Sequence, residues 1–163
     1  VHADERGFFV ETFRVERYRE LAGITLPFVQ DNHSRSRRGV LRGLHMQKHR
    51  PQGRLVRVTR GEVFDVAVDL NPGSTTFGRW VGTTLSDTNM RQLWIPPGYA
   101  HGFVVISDVA DYEYKCTEYY DASAETGVVW NDPDLKIAWP CDNPILSAKD
   151  RRLPTLAELK AGS

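Results

Sequence analysis

Apolar, β-branched and aromatic residues fall in short bursts along this chain, with no long amphipathic stripe. The bursts occupy residues 8–13, 40–46, 55–59, 63–70, 80–85, 92–95, 103–106 and 112–117, a length and composition that read as strands. Alternation is clearest in 63–70, where Phe64, Val66, Val68 and Leu70 share one face while Asp65 and Asp69 share the other, which predicts one core face and one polar face. Between the bursts stand Arg60-Gly61, Asn71-Pro72-Gly73 and Pro96-Pro97-Gly98, residues that fix or permit tight turns. Helix is scarce: residues 15–22 end at Gly23, and Thr155-Leu156-Ala157-Glu158 has the form of a capping box before a short terminal helix. The pattern predicts an all-β chain of antiparallel hairpins, folded as a double-sheet jelly roll with short flanking helices and an interior able to hold a small ligand.

Composition narrows this picture without changing it. With 163 residues and 40% apolar content, one domain over residues 1–163 has core enough to need no staple. Lys and Arg total 21 and Asp and Glu total 21, so the long-range field that draws proteins to nucleic acid or anionic membrane is missing. No apolar run approaches the roughly 20 residues of a membrane span, and no signal peptide opens the chain. Cys116 and Cys141, the two cysteines, form neither a disulfide framework nor a metal-ligand spacing, so two free thiols in a reducing cytoplasm are expected. The start at Val1, without methionine and close to the patterned segment at Asp4, reads as a chain lacking a few N-terminal residues.

Several chemically competent side chains stand in strand-like surroundings. Gly39-Val40-Leu41-Arg42-Gly43-Leu44-His45-Met46-Gln47 places a cation and an imidazole in an apolar stretch, where each wants a partner or a ligand. Three positions apart, Arg42 and His45 fall on opposite faces unless a bulge intervenes near Gly43; spacing alone leaves open a functional pair or a satisfied, half-buried histidine. Tyr112 and Tyr114 point the same way, either as packing aromatics or, for a phenol with a lowered pKa, as a proton donor or acceptor. Asp150 is a loop aspartate unless it reaches an imidazole, whose tautomer it would then fix. Pro96 to His101 has the P-x-G-x-x-H form of the second cupin motif. A metal-binding cupin also needs H-x-H, and His45 is followed by Met46 and Gln47, so no metal is expected. Arg35, Arg37 and Arg38 read as a solvated loop.

Taken together, Asp4–Glu11, Gln30-Asp31-Asn32-His33-Ser34, Gly39–His45, Gln52-Gly53-Arg54-Leu55-Val56-Arg57, Gly61–Asp69, Pro97–Phe103, Tyr114-Lys115 and Trp130-Asn131-Asp132-Pro133 resemble the dTDP-4-dehydrorhamnose 3,5-epimerase family, a group of cupin-type enzymes. The resemblance implies a dTDP-linked 4-keto-6-deoxy sugar as substrate, inversion at C3 and C5 through an enolate, no cofactor, and a homodimer that exchanges N-terminal strands. It puts His45 at the family's base, Asp150 at the partner of that imidazole and Tyr114 at the phenol that returns the proton. Arg6, Glu11, Gln30, Asn32, Arg42, His101, Glu125 and Lys149 match positions that hold the nucleotide, the phosphates or the sugar. One departure stands out: Arg54 replaces the family's usual lysine near the enolate oxygen, after a loop about one residue shorter. A bulkier, more diffuse cation there opens the alternative of epimerisation at one carbon only. Rival readings from other classes are a cupin that binds a sugar nucleotide without turning it over, told apart by whether His45, Tyr114 and Asp150 converge, and a metal-dependent cupin.

Overall fold

The computed structural model describes residues 1–161. Among them are eleven strands: β1 (His2–Asp4), β2 (Gly7–Phe9), β3 (Gln30–Arg37), β4 (Leu41–Gln47), β5 (Arg54–Arg60), β6 (Glu62–Asp69), β7 (Trp80–Ser86), β8 (Gln92–Ile95), β9 (Tyr99–Val105), β10 (Val109–Cys116) and β11 (Glu125–Gly127). Two α-helices, α1 (Val15–Ala22) and α2 (Leu156–Ala161), and a 3-10 turn at Asp150–Arg152 complete it. A four-stranded sheet in the order β3-β10-β5-β8 faces a five-stranded sheet in the order β11-β4-β9-β6-β7, and every pairing is antiparallel. The chain crosses between the sheets repeatedly, which is the jelly roll that the pattern predicts. No helix among the described residues is long and apolar enough to cross a membrane.

Two apolar layers result. Between the sheets lie Val56, Val58, Val63, Ala67, Leu85, Ile95, Phe103, Val105 and Tyr112. On the far side of the five-stranded sheet, Leu44, Val66, Val68 and Ala100 pack beneath Val128, Leu135 and Leu156 of the C-terminal segment. The expectation of one core face and one polar face for 63–70 therefore needs correcting. Both faces of β6 are covered; Phe64, Val66 and Val68 meet the C-terminal arm, and Asp65 looks into the roll, where it is fully buried.

The helices match their signals. Gly23, at φ 65°, ends α1 in the left-handed region that glycine occupies without a Cβ clash. Before α2, Thr155 N–H donates to Glu158 Oε2 at 2.7 Å and Glu158 N–H donates to Thr155 Oγ1 at 3.2 Å, the reciprocal pair of a capping box. Two expectations fail. The burst at 8–13 is strand only to Phe9, and Arg35 and Arg37 lie on β3, a strand. There Arg35 forks onto Asp111 of β10 at 2.6 and 2.8 Å.

Asp69 ties the loop after β6. Its carboxylate accepts from Asn71 N–H at 2.9 Å, Asn71 Nδ2 at 3.0 Å, and the Ser74 and Thr76 hydroxyls at 2.5 Å each. Burial pushes its pKa up, and these four donors more than reverse that, leaving it below its ordinary 3.8. The stabilisation is therefore complete above the ordinary value and lost as pH falls through the folded one. Asp69→Ala is expected to cost about 2 kcal/mol at neutral pH. In urea melts at pH 7 and pH 3, the gap between wild type and variant should narrow at pH 3; a constant gap would mean that packing, not the charge, is what Asp69 supplies.

Candidate active site

A bulge in β4 brings the sequence-predicted groups together. The β4–β9 register slips between Arg42 and His45, and beyond the slip His45 stands directly opposite His101. Gly43 sits at the slip with φ 117°, where an added Cβ would come within 2.6 Å of Gly102 Cα and His101 O, so the close approach of the two strands demands glycine. Residues opposite one another in an antiparallel pair share a face. His45 and His101 therefore both project toward the interior of the roll.

His45 is held from outside its sheet. The 3-10 turn carries Asp150 against β4, and Asp150 Oδ1 lies 2.6 Å from His45 Nε2, across 105 residues of sequence. Burial raises the carboxyl pKa, but the bonds from His45 and from Ser147 outweigh it and the net shift is downward. An ionised carboxylate only accepts, so Nε2 carries the ring proton and Nδ1 holds the lone pair. Nδ1 is 3.6 Å from Glu125 Oε1, too far for a hydrogen bond. Glu125 is occupied on its other oxygen by Lys149 Nζ and by the Tyr120 hydroxyl.

The opposite wall comes from β3, β5 and β10. Cys116 pairs with Arg54, and Tyr114, two residues on, shares its face. Arg54 NH1 donates to His45 O at 3.3 Å and NH2 to Gln52 Oε1 at 3.2 Å, while its buried Nε has no partner among the described residues. Burial pushes the Tyr114 phenol up, against the lowering pull of the Arg54 and Arg42 cations. The sequence pattern calls for a lowered phenol; here burial shifts it the other way. Gln30 and Asn32 line β3 opposite Cys116 and Tyr114 and bond each other at 3.1 Å. Arg42 is anchored by its Nε on Ser36 Oγ at 3.0 Å.

Arg6 and Glu11 are not brought to this cavity by the chain itself. Arg6 forks onto Asp4 in the exposed β1–β2 hairpin, and Glu11 pairs with Arg14 and Arg17. Tyr120 was not singled out in the sequence, Asp65 was read only as a polar-face residue, and Tyr112 was weighed only beside Tyr114. Tyr120 caps Glu125 at the rim, and Asp65 with Tyr112 surrounds His101 in the interior. An aspartate inside an apolar strand facing a jelly-roll interior was the available signal for the last group.

What this arrangement offers is a paired imidazole with one free nitrogen, a phenol that keeps its proton, and a cation with a buried, unused donor. Residues 1–158 match the dTDP-4-dehydrorhamnose 3,5-epimerase family. A dTDP-4-dehydrorhamnose 3,5-epimerase of Pseudomonas aeruginosa is 57% identical over 97% of this chain and 88% of its own length. A dTDP-4-dehydrorhamnose 3-epimerase of Streptomyces niveus is 43% identical over 97% of this chain and 77% of its own. The crystal structure of the Legionella pneumophila dTDP-6-deoxy-D-glucose-3,5-epimerase in complex with dTDP-4-keto-L-rhamnose superposes with a TM-score of 0.93 at 56% identity, covering 97% of this chain and 87% of the other. The chain belongs to the dTDP-4-dehydrorhamnose 3,5-epimerase family.

Proposed function

We propose that this protein inverts C3 and C5 of a dTDP-linked 4-keto-6-deoxy-hexose by removing each proton α to the C4 ketone and returning one from the opposite face. The observation that carries the reading is the 2.6 Å His45–Asp150 pair with the Arg54 guanidinium reaching the His45 carbonyl at 3.3 Å. His45 Nδ1 takes the proton, the carbon–hydrogen electron pair forms the carbon–carbon double bond as the carbonyl π pair moves onto oxygen, and the Arg54 guanidinium donates to the resulting enolate oxygen. Tyr114 then protonates the carbon from the other side, and solvent resets the imidazolium and phenolate. No cofactor is needed, because the ketone itself acidifies both neighbouring carbons. Gln30, Asn32, Arg42, His101, Glu125 and Lys149 hold the sugar nucleotide, with guanidinium forks suited to phosphate oxygens.

We further place the enzyme in the cytoplasm as a homodimer. The support for the dimer is the β1–β2 hairpin, which leaves Phe8 62% and Phe9 71% exposed and carries Arg6 away from its own cavity. Exchange of that hairpin would deliver Arg6 and Glu11 to a second copy's nucleotide.

The test is NMR of dTDP-4-keto-6-deoxyglucose with the protein in D2O, following C3 and C5 separately while a downstream reductase traps the product. Deuterium at both carbons with a rhamnose-configured product is expected. Label at one carbon would install the second reading, a mono-epimerase, which Arg54 and the likeness to the Streptomyces niveus 3-epimerase favour. No label would leave a binding protein. Asp150→Asn keeps the shape of the pair but lets a carboxamide donate to Nε2, pushing the ring proton onto Nδ1. Turnover is expected to fall about 10³-fold with the fold intact; wild-type kcat in this variant would remove Asp150 from the mechanism.

A further inference from the structure

Asp65, Tyr112 and His101 form a second polar cluster inside the roll. Asp65 is 0%, Tyr112 1% and His101 6% exposed, among Val63, Ala67, Phe103 and Val105. Apolar residues of similar volume would fill such a place at no loss of stability, because buried charges are costly to desolvate. The cluster therefore calls for a reason other than folding.

Its hydrogen bonds dictate the state of His101. Tyr112 donates its hydroxyl proton to Asp65 Oδ2 at 2.5 Å. His101 Nε2 lies 3.0 Å from Asp65 Oδ1, 3.2 Å from Oδ2 and 3.1 Å from the Tyr112 oxygen. With the phenol proton spent on Asp65, all three neighbours of Nε2 are acceptors, so Nε2 must carry the hydrogen. In the uncharged ring Nδ1 is then a lone pair, and it makes no hydrogen bond among the described residues. The residue stands directly opposite His45 on the inner face of the five-stranded sheet.

We propose that Asp65, held on its other side by the Tyr112 hydroxyl, is a positioning residue that locks His101 in the Nε2–H tautomer, so that Nδ1 accepts a hydrogen bond from a hydroxyl of the sugar under reaction. The identity of that ligand rests on the epimerase reading; the tautomer does not. The lock orients the sugar ring against His45 while leaving the nucleotide untouched, so its loss appears in the chemical step and not in nucleotide affinity.

Nitrogen-15 NMR of the histidine-labelled protein tests this directly. In the wild type His101 is expected to show a protonated Nε2 and a bare Nδ1. The Nδ1 resonance should move with the equilibrium mixture of dTDP-4-keto-6-deoxyglucose and its products, and stay put with dTDP alone. In Asp65→Asn the ring proton should shift to Nδ1, with kcat down about 10²-fold or more and dTDP affinity within about twofold of wild type. Tyr112→Phe, which leaves the Asp65–His101 bonds in place, should keep the tautomer and lose only a few-fold in kcat. A wild-type Nδ1–H tautomer, an Nδ1 resonance blind to the sugar nucleotide, or an Asp65→Asn enzyme with a flipped tautomer and full kcat would each overturn the proposal. Should Asp65→Asn not fold, the wild-type spectra decide alone. A wild type that exchanges no deuterium into the sugar sinks the epimerase reading and leaves the tautomer result standing.

Discussion

His45→Ala is expected to abolish deuterium uptake at both C3 and C5, with turnover falling at least about 10³-fold. The same imidazole serves both carbons in this reading, so the two losses should be equal. The substitution strands Asp150 without its ring partner, and the carboxylate is too far back to take over, since it lies behind the imidazole on Nε2. Nucleotide affinity is expected to survive, because the groups proposed to hold the dTDP moiety, among them Gln30 and Asn32 on β3, are left in place. The clean comparison is single-turnover exchange followed by NMR in the wild type, His45→Ala and Asp150→Asn. Equal rates in the wild type and His45→Ala would place the base elsewhere. Loss at one carbon only would require a second base, and His101, which stands opposite His45 on β9, would be the residue to test.

Much of this site was legible in the chain, and the illegible part has physical causes. The hairpin bursts located seven strands, because strands with one face in the core alternate or cluster apolar residues. They did not locate β3, whose Gln30-Asp31-Asn32-His33-Ser34-Arg35-Ser36-Arg37 has no apolar position at all. Its inner residues are polar and bond polar partners, Gln30 with Asn32 and Ser36 with Arg42, and its outer ones are charged because they pair with Asp111, Glu113 and Lys115 or face solvent. The spacing of Arg42 and His45 allowed both at one cavity only with a bulge near Gly43, and the register slip there supplies it. No local pattern joins His45 to Asp150, which are 105 residues apart; only the likeness to a known family could pair them. The Asp65–Tyr112–His101 cluster escaped for a different reason. Alternation in 63–70 marked Asp65 as facing away from the apolar residues around it, and in a two-layer roll the face away from one core is the inside of the other.

The structure divides labour between the two sheets. The five-stranded sheet supplies the imidazoles, each backed by a carboxylate on Nε2, and its far side is sealed by the C-terminal arm that also delivers Asp150. The four-stranded sheet supplies the phenol and the guanidinium. In the proposed reaction a sugar ring between them would meet the base on one face and the acid on the other, which is the geometry that inversion at carbon requires.

That division makes Tyr114→Phe the informative counterpart to loss of the base. The ring keeps its packing beside Tyr112 and only the hydroxyl is removed, so the fold should melt near the wild-type temperature. Burial pushes the phenol pKa up while Arg54 tempers the rise, and in the proposed reaction Tyr114 is the acid. Without it, His45 can still form the enolate and hand a proton back to the face it came from. His45 is 22% exposed, enough for its ring proton to exchange with D2O between the two events. The expected outcome is therefore deuterium entering C3 and C5 with retained configuration, while the inverted product forms about 10²–10⁴-fold more slowly. Exchange and inversion falling together would mean that Tyr114 orients the substrate and does not deliver the proton. Inversion at the wild-type rate would give the acid's role to water, and the opposite wall of the cavity would then need only to admit solvent.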